Sequence, residues 1–155
     1  MGELKITVAK MNEQTTSVEY STDGGDYKIE TLETPTGKFS LAVSKLRNVA
    51  ISKMDLELIG DKITSYGFVR KDSKKGPYWQ ILLKLTCNMV SIKIASPKIY
   101  EVTDDGFWDE ARNYEDYPSM LDPDSQKVMD DAWEQASLFV SGARLQPTLG
   151  LEDPK

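Results

Sequence analysis

The sequence predicts an α+β fold: an antiparallel sheet of two meanders, one helix between them and a C-terminal helix packed on the sheet. Three observations lead there. Apolar residues alternate at period two through much of the first hundred positions, the spacing of half-buried strands. The alternation gives way twice to three-and-four spacing, once from Phe39 and once after Asp124, the signature of an amphipathic helix. The length of 155 residues is that of one domain, which can bury about 70% of the surface its unfolded chain exposes without a disulfide or metal staple.

Taken in order, Leu4, Ile6 and Val8 share one face, and Val18 and Tyr20 repeat the pattern after a polar turn, which makes a hairpin. Ser21 to Asp26 contains Gly24 and Gly25, residues that accept the positive φ of tight turns, so Tyr27, Ile29 and Leu32 are expected to open a third strand. Pro35 and Gly37 close this meander. A helical stripe follows through Phe39, Ala42, Val43, Leu46, Val49 and Ala50, with Thr36 as its N-cap. The second strand group is read as Leu56 and Leu58, then Ile63, Tyr66 and Phe68 beyond the turn Gly60-Asp61, then Tyr78 to Leu85, then Val90, Ile92 and Ile94, for six or seven strands in all. After a connector at 103–106, a short helix is expected from Phe107 to Tyr117. A longer one is expected from about Asp124 to Ser141, with Asp122 or Asp124 at its positive end and Gly142 as its stop. Residues 1–142 thus form a single domain, basic-leaning over 1–100 and acidic and helical over 101–142, and 143–155 form a flexible tail.

Composition narrows the chemistry. The chain has no histidine, which removes Ser-His-Asp and Cys-His catalysis and imidazole-ligated metal. No phosphate-cradling glycine loop is present, so nucleotide hydrolysis by a known motif and a bound nucleotide cofactor are unsupported. Cys87 is the one cysteine, and the strand-like ILLKLTCNMV around it predicts a buried, reduced thiol. No stretch has a signal peptide's pattern and no apolar run approaches the roughly 20 residues that span a bilayer, so the expectation is a cytoplasmic protein with no membrane partner.

Charge is unevenly spread. Met1 to Tyr100 carries 15 Lys+Arg against 11 Asp+Glu, a balance of +4, whereas Glu101 to Lys155 carries 4 against 14, a balance of −10. Such an asymmetry points to nucleic-acid or membrane contact with an acidic tail attached, or to a domain whose C-terminal helices have acidic exposed faces. Arg70, Lys71, Lys74 and Lys75 surround one turn, flanked by Tyr66, Phe68, Tyr78 and Trp79, with Tyr78 or Trp79 as the stacking rings. Cations that hold phosphates and rings that stack on bases are the means of binding single-stranded DNA. The paired carboxylates Asp104/Asp105, Asp109/Glu110 and Glu115/Asp116 are read as a solvated acidic face, and a metal-dependent nuclease is the enzymatic alternative to a non-enzymatic protein.

Gln146-Pro147-Thr148-Leu149-Gly150-Leu151 resembles the hexapeptide by which bacterial replication proteins dock on the sliding clamp. By this resemblance Gln146 would hydrogen-bond at one subsite while Leu149 and Leu151 fill an apolar pocket. The same template fits Gln80 to Leu85, and its shorter form fits Gln135 to Phe139, but the first reads as a core strand and the second as helix. The layout of meander, helix, strands and a terminal Phe139-Val140-Ser141-Gly142-Ala143-Arg144-Leu145-Gln146 resembles small phage- and prophage-encoded proteins from replication and recombination neighbourhoods. That resemblance implies a DNA-metabolism accessory protein working in the host bacterial cytoplasm, with the clamp or another host replication protein as partner. The alternative is a protein-protein interaction module or inhibitor of a host factor, acting through its acidic C-terminal part by DNA mimicry or clamp binding.

Overall fold

The computed structural model describes residues 4–12, 14–73, 76–101 and 121–142. Strands β1 (Lys5–Met11), β2 (Thr16–Thr22) and β3 (Gly25–Thr31) form the first antiparallel meander. Helix α1 (Gly37–Met54) crosses back to β4 (Ile63–Ser73), β5 (Gly76–Cys87) and β6 (Val90–Ala95), the second meander. A two-residue strand β7 (Ile99–Tyr100) extends the same side of β5, and helix α2 (Pro123–Val140) ends the described chain. The meanders join through β1 and β4, giving one 7-stranded antiparallel sheet of order β3-β2-β1-β4-β5-β6, with β7 beside β5. The α+β class, with an antiparallel sheet and a C-terminal helix, is the one the periodicity predicts.

Capping explains where the helices begin and end. The Thr36 hydroxyl accepts from the Phe39 amide at 3.2 Å, and Asp55 closes α1 in the left-handed conformation. The Asp122 carboxylate accepts from the Ser125 amide at 3.2 Å, Pro123 occupies the first turn of α2 where no amide is needed, and Gly142 takes φ 116° past its end. Both helices cover the same face of the sheet. Alanines 42, 50, 132 and 136 are buried and let them approach closely, and Phe39 meets Phe139 at 5.5 Å between ring centroids. Beneath them lie Ile6, Ala9, Val18, Ile63, Phe68, Trp79, Ile81 and Leu83. Arg47 fixes α1 to the start of β4 by donating to the carbonyls of Ile63 at 2.8 Å and Gly60 at 2.6 Å, while the Ser65 hydroxyl donates to the Val43 carbonyl at 2.6 Å.

The seam between the meanders is short and tight. Only Val8, Ala9 and Lys10 of β1 pair with Val69, Phe68 and Gly67 of β4. A Cβ on Gly67 would lie 2.0 Å from the Ala9 carbonyl oxygen, so the two backbones pass where only glycine fits.

Three expectations are corrected. Leu56 and Leu58 are not strand: Glu57–Lys62 is a kinked 3₁₀ segment whose Gly60 carbonyl Arg47 holds against α1, and Leu58 is 99% exposed. Leu32 lies beyond the end of β3 and is exposed. Cys87 is exposed, not buried. It shares the helix-side register of Leu83 and Leu85 but lies at the tip of the β5-β6 hairpin. The expected helix from Phe107 to Tyr117 lies outside the described residues.

Candidate nucleic-acid interface

Strand alternation divides every residue of the sheet between two faces. On β5, Trp79, Ile81 and Leu83 enter the helix-side core, which sends Tyr78, Gln80, Leu82 and Lys84 to the opposite face. No described element covers that face. Val8 and Leu82 are buried there, outside the helix-side core. Around them the register places Lys10 on β1, Lys71 on β4, Lys84 on β5 and Lys93 on β6. Strands β1, β4, β5, β6 and β7 together contain one carboxylate, Asp72, and its register turns it toward the helix side. The result is a cationic band across four neighbouring strands with no anion among its described residues.

Tyrosine rings lie along the same band. Tyr66 occupies the β-bulge between Ser65 and Gly67, with the Lys93 ammonium 5.1 Å from its ring centroid and that ammonium donating to Asn12 Oδ1 at 3.1 Å. Burial raises the Tyr66 phenol above its ordinary pKa. Tyr78 has the Lys98 ammonium 4.7 Å from its centroid and the Tyr100 ring at 5.8 Å, tilted by 56°.

The pairing of β4 with β5 splits the residues that the sequence singles out. Lys71 faces Tyr78 across the strands on the uncovered face, and Arg70 faces Trp79 on the helix side. Trp79 is 0% exposed, its indole stacked obliquely on Phe68 at 5.3 Å, so it has no free face for a base. Its Nε1 donates to Glu101 Oε2 at 2.6 Å, and Arg70 Nε donates to the same oxygen at 3.0 Å, with the guanidinium carbon 5.6 Å from the indole centroid. The roles first given to Trp79 and Arg70 are therefore corrected: Trp79 is a core residue, and Arg70 is spent on Glu101 and the indole. Lys74, Lys75, Gln146, Leu149 and Leu151 lie outside the described residues. The two other matches to the tail template fall in β5 and α2.

At one end of the band the sheet opens. A bulge between Ile6 and Val8 turns the start of β1 away from β4, and the Trp133 indole donates at 3.3 Å to the Ile6 carbonyl. The gap is a cleft of about 430 Å³ lined among others by Lys5, Thr7, Tyr20, Tyr27, Arg70 and Lys71. Tyr20 and Tyr27 stack there at 5.5 Å. The β2-β3 part of the uncovered face has mixed charge instead, with Glu19, Asp26, Lys28 and Glu30 on it and Lys28 paired to Glu30 at 3.4 Å.

Comparison with protein-family models, curated proteins and solved structures finds no match. The site therefore has to be judged by its own chemistry. Among the described residues, no three Asp, Glu or Cys side chains converge as metal ligands, and no helix is long and apolar enough to cross a membrane. Lys10, Lys84 and Lys93 are members of the band that the hairpin-centred reading missed. A signal for them exists: in Ile81-Leu82-Leu83-Lys84-Leu85 and Ile92-Lys93-Ile94, a lone lysine breaks an apolar strand at a position of fixed parity.

Proposed function

We propose that this protein binds single-stranded nucleic acid along the uncovered face of its sheet. The observation that carries the reading is the carboxylate-free band of Lys10, Lys71, Lys84 and Lys93 with the Tyr66 and Tyr78 rings among them. Phosphates are held by cations that need no fixed sequence, and bases stack on rings, so affinity is sequence-tolerant and salt-dependent. The lysines stand on hydrogen-bonded strands, which orders their stems along a track instead of leaving them on a loose tip. The chain is non-enzymatic in this reading: it holds a strand for other proteins of DNA metabolism, and the tail residues Gln146, Leu149 and Leu151 recruit a replication partner such as the sliding clamp.

Fluorescence anisotropy of a labelled oligothymidine with the full chain tests this. Binding should weaken with salt with a log-log slope of about −3, the value for four phosphate contacts on a single strand. Lys84→Glu/Lys93→Glu should weaken it at least about tenfold, whereas Lys38→Glu/Lys45→Glu on the exposed side of α1, with the same change in net charge, should lose far less. No binding at low salt, or equal losses from the two pairs, would overturn the assignment.

A further inference from the structure

The two outer edges of the sheet are built differently. The edge strand β3 carries Asp26, Lys28 and Glu30 among exposed residues, the charged dressing that keeps an edge from pairing with another chain. The edge strand β6 carries a single charge, Lys93, which lies on the uncovered face. All six of its residues are exposed, its register against β5 runs without a bulge, and it contains no proline. Val90, Ile92 and Ile94 line one side of it at 59%, 53% and 36% exposure, and Met89 at the adjoining turn is 99% exposed. Together they make an apolar stripe along a row of backbone groups that no other described strand pairs.

Turn geometry fixes which groups are open. Asn88 and Met89 both have positive φ, 50° and 69°, which is a type I′ turn closing on a hydrogen-bonded pair, Cys87 with Val90. Antiparallel alternation then directs the amides and carbonyls of Val90, Ile92 and Ile94 to β5 and those of Ser91, Lys93 and Ala95 outward. The Ser96 amide donating to the Ile81 carbonyl at 2.9 Å continues the same alternation.

We propose that β6 pairs with β6 of a second copy of this chain, antiparallel, about a two-fold axis at Ile92. The strand Val-Ser-Ile-Lys-Ile is self-complementary in that register. Ile92 faces Ile92 of the partner subunit, Val90 faces Ile94 of the partner subunit, and Ser91 faces Lys93 of the partner subunit, with the outward-directed groups of 91 and 93 bonding each other. Moving the axis to Lys93 would set two ammonium groups directly opposite, which is destabilising, and moving it to Ser91 would set Met89 against Lys93. Charge and stripe therefore select one register. The interface is isologous, as a closed dimer requires, and the axis stands perpendicular to the sheet, so both helix layers lie on one side and both lysine bands on the other. The pairing does not depend on the nucleic-acid reading. Together they give one track continuous across two molecules.

Light scattering on the eluting full chain should give twice the chain mass at micromolar concentration, and Ile92→Glu should give the single-chain mass with an unchanged circular dichroism spectrum. Oxidative cross-linking supplies the second measurement. In a Cys87→Ser background, Ile92→Cys should form a disulfide-linked dimer, because directly opposite residues of a non-hydrogen-bonded pair have Cα atoms about 4.5 Å apart. Ile94→Cys in the same background should not, and Val90→Cys/Ile94→Cys should. A single-chain mass for the unaltered protein at hundreds of micromolar, or cross-linking at Ile94 alone as ready as at Ile92, would overturn the proposal.

Discussion

The two faces of the sheet use the same strands for opposite purposes. On β5, Leu83 is buried beneath α1 and its neighbour Lys84 stands on the uncovered face, one residue and one half-pleat away. The helix-side face is continuous because two helices press on it, with Phe68, Trp79, Ile81 and Leu83 packed edge to edge. The uncovered face shields Val8 and Leu82 and, over β1, β4, β5 and β6, carries Lys10, Lys71, Lys84 and Lys93 with the rings of Tyr66 and Tyr78. What separates a core from a binding surface in this molecule is therefore register, and register is held by a seam of three residue pairs.

The largest effect should come from the covered face. Leu83→Ala should lower stability by about 2–5 kcal/mol through lost burial and a cavity, while Lys84→Ala should change it by less than about 0.5 kcal/mol and act on oligothymidine affinity instead. Urea unfolding and anisotropy on the two variants check this, and similar stability losses would mean that the faces are not divided as described. Gly67→Ala attacks the seam itself. With the Ala9 carbonyl in the way, it should cost about 1–3 kcal/mol in thermal or urea unfolding and weaken nucleic-acid binding with it, since Lys10 and Lys71 stand on the two strands that must part. Glu101→Ala removes the acceptor shared by Trp79 and Arg70 and should cost about 1–3 kcal/mol, because the indole N–H is then buried without its partner. It should also free Arg70 and leave oligothymidine affinity unchanged or improved, the reverse of the effect expected for Lys84.

Much of the fold is legible in the sequence because its signals are local. Thr36, Asp122 and Gly142 mark helix ends through bonds that span at most one turn, and Gly24 and Gly25 mark a hairpin. The site is less legible because it depends on parity set at a distance. Arg70-Lys71 and Tyr78-Trp79 each place two residues of the same chemistry side by side, and nothing within either pair says which one faces the core. The bulge at Ser65/Gly67 and the pairing of β4 with β1 decide it. Cys87 shows a second kind of limit. Alternation assigns it, with Val90 and Ile92, to the helix side, but alternation does not tell how far along a strand the helices extend their cover.

The smallest effect belongs to the cap that starts α2, the helix covering the first meander. Burial pushes the Asp122 carboxyl upward, but the Ser125 amide and hydroxyl and the Lys53 ammonium, 3.1 Å away, outweigh it and hold the group below its ordinary pKa. A carboxyl lowered on folding contributes stability above its unfolded pKa of about 3.9, and that contribution is lost as pH falls through the folded value. Asp122→Asn keeps a good N-cap while removing the charge, so it isolates the pair with Lys53. At pH 7 the variant should be less stable by under about 1 kcal/mol. The difference should shrink as pH drops below about 4 and vanish once the carboxyl is protonated in both states. Asp122→Ala, which also removes the cap, should cost about 1 kcal/mol more at neutral pH and retain part of that deficit in acid. A gap between the protein and Asp122→Asn that stays constant from pH 7 to the acid limit would show that the charge on Asp122 does not hold the start of α2 to the end of α1.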